Sequence, residues 1–292
     1  MLLSKIKNNI QYELLKFLPD KLFLSYYYKK RTGKKLDFNN PQTFNEKLQY
    51  KKLYDKNPLY TMLADKYRVR EYVKEKIGEE YMIPLLGVWE NEKQIKPDGL
   101  PGQFVLKCNH DSGSVFICKN KQEFDFGACQ KQIHKALRRN YYWPGREWAY
   151  KHIKRCVIAE AYIEESGCEL RDYKFFCFHG RAEFIQVDID RHTNHTRSIY
   201  TRQWELLDVS VEYPRSSVDI ECPQNLQDMI QIAEKLSEGL HDVRVDLYNI
   251  DGRKIYFGEM TLYHGSGGER IEPESFNDVM GRLMEPPEIR KR

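Results

Sequence analysis

Two carboxylates and an arginine near the end of the chain have the types and spacing to hold a divalent cation. Arg244 and Asp246 lie in one β-rich run and Glu259 in the next, with the hairpin dipeptide Asp251-Gly252 between them. A two-residue turn would put Arg244 opposite Glu259 and Asp246 opposite Phe257, all on one face. Mg²⁺ prefers oxygen ligands, often one or two carboxylates with substrate phosphates. On the hairpin alone, a solvated face with an ordinary Arg–Glu pair explains these residues better.

Three further clusters have the composition of a nucleotide site. Residues 107–114 join two predicted strands and combine a lysine with small residues whose backbone N–H groups can approach an anion. They lack the G-x-x-x-x-G-K-S/T pattern of a Walker A loop. Asp65-Lys66, predicted to lie on a helix, alone indicates only a solvated helix face. An apolar strand that runs into Glu160 could give backbone hydrogen bonds to a purine edge, and Asp172 and Lys174 share one strand face.

The rest of the sequence contains the elements that must position these residues. Runs rich in β-branched and aromatic residues predict strands, and apolar residues at helical spacing predict helices. Strands are predicted near 104–106, 115–117, 157–159, 173–178, 182–187, 243–248 and 255–261, and helices near 43–54, 59–77, 121–139 and 223–239.

The composition limits the class of protein. The 292 residues carry 47 Lys and Arg against 43 Asp and Glu, and 41% are apolar. A net charge of +4 gives no general nucleic-acid signature, and no apolar run reaches the ~20 residues of a membrane helix. Seven cysteines without a zinc-type pair or an export signal indicate reduced thiols. We therefore expect a cytoplasmic globular protein that binds no nucleic acid, and not a secreted disulfide scaffold, an integral membrane protein or a coiled coil.

Positive charge is concentrated at the N-terminus. Residues 1–35 hold nine Lys and Arg and two acidic residues, a net +7, so the remaining residues carry −3. Apolar residues recur there at helical spacing. A basic amphipathic helix of this kind could rest on the anionic inner face of a membrane. The alternative, which the sequence favours, is a helix that packs on the next domain with its lysines in water.

The order of the four clusters is more specific than any one of them. In this order the chain resembles the ATP-grasp superfamily, which includes the D-alanine–D-alanine ligases. More closely, it resembles the TupA-like branch found with teichuronopeptide, capsule and O-antigen genes. The resemblance covers about residues 40–280. It is carried by FNEKL at 44–48, ADKYRVR at 64–70, KCNHDSG at 107–113, DYKF at 172–175, RVD at 244–246 and EMT at 259–261.

This resemblance implies an α+β ATP-grasp fold, in which two α+β lobes clasp ATP, with a helical N-terminal extension. The expected extension covers residues 1–60 and the ATP-grasp domain residues 61–292. Within that domain we expect a smaller lobe near 100–165 and a larger lobe, with the hairpin, near 166–280. The α/β substrate domain usual in the superfamily is not evident in residues 1–60, so the resemblance does not identify the acceptor.

The resemblance also implies roles for individual residues. The implied catalytic residues are Arg244 and Lys107, near the transferring phosphate, and Gly265, whose backbone N–H would face the reacting carbonyl. The implied ATP-binding residues are Lys66, Lys107, Asn109, Ser112, Gly113 and Ser114 at the phosphates, Glu160, Ala161, Tyr162 and Ile163 around the adenine, and Asp172 and Lys174 near the ribose or phosphates. The implied Mg²⁺ ligands are Asp246 and Glu259, with Thr261 where most members have asparagine.

Members of the superfamily activate a carboxylate as an acyl phosphate, and an amine then displaces phosphate. The TupA-like branch implies a uronic acid of a capsule or O-antigen polysaccharide, or of its precursor, and an amino acid or amino alcohol as the amine. Arg191 and Arg197 could clamp a carboxylate, although a solvated loop explains them equally well. Tyr263, His264 and Ser266 follow the hairpin and are better placed for substrate. Residues 140–147 are either a lid or sugar platform or a packed loop.

Three other functions fit parts of the sequence. A glycosyltransferase would use Asp188-Ile189-Asp190 as an Asp-x-Asp metal motif. A kinase with the ATP-grasp fold would phosphorylate a hydroxyl group and need no amine. A non-catalytic binding module would depend on the basic N-terminus. The ligase is preferred because a three-residue motif is less specific than an order of motifs that spans most of the chain.

Overall fold

The structure, a computed structural model, describes residues 16–165, 170–189, 195–218 and 220–284. Every helix in these ranges is too short or too polar to span a lipid bilayer. The helices are α1 (Asp20–Thr32), α2 (Phe44–Tyr54), α3 (Leu59–Ala64), α4 (Val69–Lys76), α5 (Phe126–Leu137), α6 (Tyr142–Gly145), α7 (Leu226–Ser237) and α8 (Glu274–Leu283).

The first sheet has four antiparallel strands in the order β1-β4-β2-β3. They are β1 (Leu85–Trp89), β2 (Phe104–Cys108), β3 (Val115–Cys118) and β4 (Val157–Ala161). Phe104 and Leu106 alternate with partly exposed residues, so one face of the sheet packs on α5. Asp125 caps α5 by accepting a 2.8 Å hydrogen bond from the backbone N–H of Ala128. The other face of the sheet carries Lys107.

The second sheet has five antiparallel strands in the order β10-β9-β5-β6-β7. They are β5 (Asp172–Phe178), β6 (Arg181–Ile189), β7 (Thr196–Thr201), β9 (Asp242–Ile250) and β10 (Lys254–Thr261); β8 (Ser210–Val211) and β11 (Ile271–Glu272) form a separate pair. Helix α7 covers one face with Leu226, Met229, Ile230 and Ala233, which recur at helical spacing. That face forms the main core.

The opposite face of the second sheet is half apolar and half polar. Phe176 and Phe178 pack edge-on against Phe44 of α2, with ring centroids 6.4 and 6.1 Å apart. Helix α2 begins with a capping box, in which Thr43 and Glu46 satisfy each other's backbone N–H groups. The polar half carries Asp246 and Glu259. Helix α2 therefore covers the face that holds the candidate site.

The predicted strands are confirmed, and four strands were missed, namely β1, β7 and the two-residue strands β8 and β11. Strand β1 contains Gly87 and follows Pro84, and β7 lies in a segment rich in polar residues. Strand β1 places the start of the first sheet before residue 100, where the smaller lobe was expected to begin. The six cysteines in the described residues are free thiols, and five of them are buried.

The predicted helix at 59–77 is divided into α3 and α4. Its break lies at Asp65, whose carboxylate accepts hydrogen bonds from the backbone N–H groups of Tyr67 and Arg68 at 2.9 and 3.2 Å. Asn109 donates a third, at 2.8 Å. A side chain that binds its own backbone in this way favours a turn over a helix. Lys66 therefore lies in a turn, and its predicted placement on a helix was wrong.

Candidate active site

The hairpin of β9 and β10 differs in register from the prediction. Its turn is three residues long instead of two, and Phe257 faces the core. A bulge at Gly258 then shifts the register again, so that Glu259 lies opposite Asp246. The predicted pairs of Arg244 with Glu259 and of Asp246 with Phe257 were therefore wrong. The two carboxylates oppose each other directly, on the same face of the sheet.

The bulge returns Glu259 to the polar face. Side chains alternate along a strand, so without the extra residue Glu259 would pair with Val245 and point into the core. Gly258 permits this arrangement because a Cβ there would lie 3.0 Å from the backbone oxygen of Asp246 and 3.3 Å from the Tyr248 ring. The result is two hard oxygen donors on neighbouring strands.

Arg244 links the two carboxylates. Its Nε and Nη2 donate to the two oxygens of Asp246 at 2.7 and 2.6 Å, and Nη2 lies 3.3 Å from Glu259 Oε1. Its Nη1 donates to Nδ1 of His264 at 2.6 Å. Burial lowers the pKa of His264, although Glu269 raises it, so the imidazole is neutral and can accept this hydrogen bond.

The charges at this pair suit a cation. Burial raises the pKa of Asp246 to about 7, although Arg244 lowers it. Burial alone would raise the pKa of Glu259. Lys66 and Arg244 lower it by more than burial raises it, so the pKa of Glu259 lies below its ordinary value. Asp246 is buried, whereas 41% of the Glu259 side chain is exposed, so the pair opens to solvent on the Glu259 side. Two opposed carboxylates with one open side fit Mg²⁺.

Thr261 fits the third metal position less well. Its hydroxyl donates to Glu259 Oε1 at 3.3 Å, and it lies opposite Arg244 in the hairpin. A hydroxyl group that donates to a carboxylate supports that ligand and does not itself face the cation. The structure therefore places Thr261 beside the pair as a support for Glu259.

Lys174 is buried among carboxylates of three strands. Its amine pairs with Asp172 and lies 3.3 Å from Asp188 Oδ2 and 4.0 Å from Asp246 Oδ2. Lys174 and Asp172 were predicted near the ribose or phosphates. The structure places them on the same face of the sheet as Asp246 and pairs them with each other, so Lys174 compensates the charge of the surrounding carboxylates.

Arg197 is engaged inside the protein. Its Nε donates to Asp188 Oδ1 at 2.6 Å, its Nη1 donates to the backbone oxygen of Val211 at 3.0 Å, and Glu269 lies 3.6 Å from it. With 6% exposure it is not available to clamp a substrate carboxylate. Arg191, its predicted partner, lies outside the described residues. Because Asp188 is enclosed by Arg197 and Lys174, it also cannot serve as the open carboxylate of an Asp-x-Asp motif.

Lys107 lies on the first sheet and shares Glu160 with a second cation. Its Nζ lies 2.7 Å from Glu160 Oε2, and Arg70 Nη1 lies 3.1 Å from Oε1. Arg70 also donates to the backbone oxygen of Ile83 at 3.0 Å. Glu160 is thus held between two positive groups at the end of β4. This pairing is a feature that the sequence did not indicate, because Arg70 is distant from both partners along the chain.

The face that carries Lys107 also exposes apolar side chains. Val115 lies opposite Lys107 and Ile117 opposite Val105, so they share its face. Val115 and Ile117 are 42% and 48% exposed. Exposed β-branched residues beside a lysine give a flat apolar surface next to a positive charge, which suits a purine base and its phosphates. Both residues were predicted to lie in a strand but were not predicted as part of a site.

Lys66 and the loop at 109–114 are joined by several hydrogen bonds. Lys66 Nζ donates to the backbone oxygen of Asp111 at 2.5 Å, and its backbone N–H donates to the oxygen of Asn109 at 3.0 Å. Asn109 is fully buried, and its side chain donates to Asp65 and accepts from the backbone N–H of Cys156 at 2.7 Å. Asn109 therefore anchors the loop from inside, and its side chain is not free to bind phosphate as predicted.

The tip of this loop is open to solvent. Ser112 and Gly113 are exposed, and Gly113 has a φ of +115°, a conformation that favours glycine. Ser114 donates to Asp111 Oδ2 at 2.5 Å and so closes the loop base. Ser112 and Gly113 are therefore the exposed residues of the loop, and their approach to phosphate stays a prediction.

The segment after Glu160 connects the two sheets. Ala161 ends β4 and donates its backbone N–H to the oxygen of Pro84 at 2.9 Å. Tyr162 and Ile163 follow in irregular backbone and are partly exposed, and Lys119 lies 5.8 Å from the Tyr162 ring. A connection of this kind between two sheets is where the predicted adenine-binding hinge would lie. The backbone groups after Ala161 are therefore the candidates for a purine edge.

The loop after the hairpin contains Gly265, and helix α2 holds it in place. Gly265 and Ser266 both have positive φ, 52° and 53°. Gln49 donates to the backbone oxygens of Ser266 and Gly267 at 2.9 and 2.7 Å, and Lys52 donates to the Ser266 backbone oxygen and Oγ, both at 2.7 Å. The strained backbone conformation is thus fixed from outside the loop.

Gln49 and Lys52 were not among the predicted site residues. A signal for them exists, because Asn45, Gln49 and Lys52 lie at i, i+4 and i+7 on one stripe of α2, and all three are buried. Polar residues on the buried stripe of a helix need partners inside the protein. The stripe therefore indicates contact with another backbone, although the sequence does not say which one.

The three substrate residues predicted after the hairpin differ in their exposure. Tyr263 is 3% exposed and belongs to the main core, and His264 is 5% exposed between Arg244 and Glu269. Neither side chain is available to substrate as predicted. Ser266 is partly exposed and stays a candidate. His264 contacts Arg244, which in turn contacts Asp246 and Glu259.

Residues 140–147 pack against α1, as the packed-loop alternative predicted. The hydroxyl of Tyr142 donates to Asp20 Oδ2 at 2.5 Å, and Arg146 Nε lies 3.2 Å from Asp20 Oδ1. The Arg146 guanidinium lies between the rings of Phe23 and Trp143, 4.6 and 4.5 Å from their centroids. Through Tyr142 and Arg146 this part of the segment attaches α1 to the rest of the protein.

Some solved structures are similar to this chain. The D-alanine–D-alanine ligase of Bacillus anthracis in complex with ATP is 17% identical, with a TM-score of 0.42, over 68% of this chain and 55% of that chain. The corresponding ligase of Coxiella burnetii is 15% identical, with a TM-score of 0.40, over 68% and 47%. The L-amino acid ligase of Bacillus licheniformis is 13% identical, with a TM-score of 0.42, over 72% and 46%. The chain thus spans about half the length of these three proteins.

A comparison with protein families gives a longer match. No curated protein sequence matches the chain. The sequence model of a family described as TupA-like ATPgrasp matches residues 46–285, from within α2 to the end of α8. The match includes both sheets, the loop at 109–114 and the hairpin. It confirms the resemblance and, with it, the α+β ATP-grasp fold. The chain belongs to the TupA-like ATP-grasp family.

Proposed function

We propose that the chain is an ATP-dependent carboxylate–amine ligase that forms an amide bond through an acyl phosphate. The observation that carries this proposal is the opposition of Asp246 and Glu259 beside Arg244. A carboxylate oxygen of the substrate would take the γ-phosphoryl group of ATP, which releases ADP. The amine nitrogen would then attack the acyl carbon and lose a proton, and phosphate would leave. Each step moves negative charge, which positive groups stabilise.

Residues of this chain supply most of the positive charge in that reaction. When bound, Mg²⁺ would neutralise charge on the phosphate oxygens of ATP, and Asp246 and Glu259 are the residues that would hold it. Arg244 orients both carboxylates and lies next to them. Lys66 lies in the turn before α4 and is hydrogen-bonded to the loop that follows β2, and Lys107 lies on β2 itself. Charge and positioning suffice for this chemistry, so no covalent nucleophile is required.

We propose a uronic acid as the carboxylate and an amino acid or amino alcohol as the amine. The uronic acid would belong to a capsule or O-antigen polysaccharide or to its precursor. The support for this substrate class is the family resemblance, since the TupA-like branch occurs with surface-polysaccharide genes. The reaction would take place in the cytoplasm, where ATP is available.

The test measures ADP and free phosphate released from Mg-ATP. The protein is mixed with hexuronic acids or uronate oligosaccharides, each with and without a mixture of amino acids and amino alcohols. Phosphate release that needs both partners supports the ligase. ADP without free phosphate, and without need of an amine, would indicate a kinase. Turnover of nucleotide sugars without ATP use would indicate a glycosyltransferase.

A variant links this turnover to the site. Glu259→Gln keeps the size of the side chain and removes one charge of the metal pair, so we expect at least a 100-fold loss of turnover, on the scale of losing one charge-stabilising group. Glu205→Gln, at an exposed position in the loop after β7, is the matched control. Full turnover by Glu259→Gln would show that Glu259 is not part of the active site, even if the protein is a ligase.

A further inference from the structure

Helix α1 has a buried inner face. Phe23, Leu24 and Tyr28 lie at i, i+1 and i+5 and are at most 4% exposed. They form a small core with Leu36 and Phe38. Arg31, at the end of the helix, donates to the backbone oxygen of Gly268 at 3.2 Å. The inner face is therefore fully used in attaching α1 to the rest of the protein.

The outer face of the same helix exposes large apolar side chains. Leu22 and Tyr26, one turn apart, are 58% and 39% exposed. Phe17 and Leu18, which lead into the helix, are 87% and 36% exposed. Single exposed apolar residues are ordinary on protein surfaces. Four within ten positions, opposite the buried face, form a patch of the kind that marks an interaction site.

Lysines surround this patch. On the helix, Lys21 and Lys30 flank the stripe of Leu22 and Tyr26, and Lys29 lies within it. Among the described residues, no carboxylate lies within ion-pair distance of these three lysines. The single acidic residue of α1, Asp20, is turned toward Tyr142 and Arg146. The outer face is therefore apolar at its centre, positive at its edges and without a negative group of its own.

We propose that this face of α1, formed by Phe17, Leu18, Leu22 and Tyr26 with Lys21, Lys29 and Lys30, docks on an anionic lipid membrane surface. The apolar side chains enter the boundary between headgroups and acyl chains, and the lysine stems extend to the headgroups. Each lysine near an anionic surface adds attraction that salt screens. A protein partner of matching shape would not require several lysines without acidic neighbours beside its apolar centre.

Docking on this face has a consequence for the candidate active site. Arg31 of α1 contacts Gly268, in the loop that contains Gly265, and that loop lies on the inner side of the helix. Membrane and loop would thus be separated by roughly one helix diameter, about 10 Å. The arrangement suits a substrate carried on a membrane lipid. This last point rests on the proposed function, but the docking itself does not.

Vesicle co-sedimentation of the full-length chain tests the proposal. The vesicles contain either phosphatidylcholine alone or phosphatidylcholine with phosphatidylglycerol. We expect binding to the anionic vesicles only. Phe17→Ser with Leu22→Ser should weaken that binding on the order of tenfold, and Lys29→Glu with Lys30→Glu should weaken it at least as much. Because all four positions are exposed, both variants should stay folded and keep their ATP turnover in solution.

Matched controls distinguish binding through this face from nonspecific binding by exposed apolar residues or lysines elsewhere. Leu206→Ser with Val218→Ser removes two other exposed apolar residues, and Lys93→Glu with Lys96→Glu removes two other exposed lysines. Neither control should change vesicle binding. Equal binding to neutral vesicles, equal loss in the controls, or no binding by the unmodified chain would overturn the proposal. So would a dimer in vesicle-free solution that Phe17→Ser with Leu22→Ser dissociates, since the face would then join two copies of the chain.

Discussion

Glu259 lies directly opposite Asp246 because Gly258 adds one residue to β10 at that point. Strand bulges occur next to active sites because they re-aim a side chain without ending the sheet. Here the bulge decides whether the second carboxylate faces the nucleotide cleft or the core. The position of Gly258, and not only the presence of two acids, therefore creates the candidate metal pair.

Replacement of Gly258 tests this relationship. In Gly258→Ala the new Cβ would lie 3.0 Å from the backbone oxygen of Asp246, so either the bulge or β9 must shift. We expect the Mg²⁺ concentration for half-maximal turnover to rise about tenfold or more, roughly 1.4 kcal/mol of binding, with the protein still folded. Gly99→Ala is the control, since a Cβ at Gly99 meets nothing within 4 Å. An unchanged Mg²⁺ dependence in Gly258→Ala would show that the bulge does not set the site.

The sequence could predict which residues lie on the hairpin but not how they pair. The dipeptide Asp251-Gly252 is compatible with turns of two or three residues, and turn length fixes register. A bulge is also poorly marked, because a glycine within a strand has several explanations. The three-residue turn shifts the register by one residue, and the bulge at Gly258 shifts it by one more. Glu259 therefore lies on the same face as Asp246, as predicted. The site residues on this face were thus predicted for a register that the protein does not have.

Other parts of the site depend on contacts between distant segments. Asp65 ends a helix that local spacing predicts to continue, because it binds Asn109 of another segment. Arg197 fits a carboxylate clamp by residue type, but Asp188 of the neighbouring strand occupies it. Residue type and spacing show the order of motifs along the chain. They do not show which polar side chains already have partners inside the protein, because this depends on how distant segments pack together.

Replacement of Lys107 tests the nucleotide side of the site. In Lys107→Met the apolar stem stays in place, while Glu160 loses one of its two positive partners and keeps Arg70. We expect KM for ATP to rise about tenfold or more, because a phosphate-binding charge is lost beside a carboxylate that is less well neutralised. The affinity can be measured separately by titration with a fluorescent ATP analogue. Lys131→Met, at an exposed position on α5, should leave KM unchanged. Equal KM values for both variants would exclude Lys107 from ATP binding.

Lys52 should make the stability of the protein rise with pH in the alkaline range. Burial lowers the pKa of Lys52 from its ordinary value of 10.5 to about 8, although Glu147 raises it. Below pH 8 both the folded and the unfolded chain hold this proton, and the cost of burying the charge is fully present. Between pH 8 and 10.5 only the unfolded chain holds it. The folded state therefore becomes more stable as the pH rises through this range. The cost of burying the charge is no longer present above pH 10.5, where the unfolded chain has also lost the proton.

Urea unfolding of the native chain and of Lys52→Met, compared from pH 7 to 10, measures this contribution. The variant cannot titrate at this position, so the difference cancels other groups that change charge in the same range. We expect the free energy of unfolding of the native chain, relative to Lys52→Met, to rise by about 1 kcal/mol per pH unit above pH 8. Lys96→Met, at an exposed position, should give no such slope. A flat difference between the native chain and Lys52→Met would mean that Lys52 stays charged over this range, and that its contacts with Ser266 are charge-assisted hydrogen bonds.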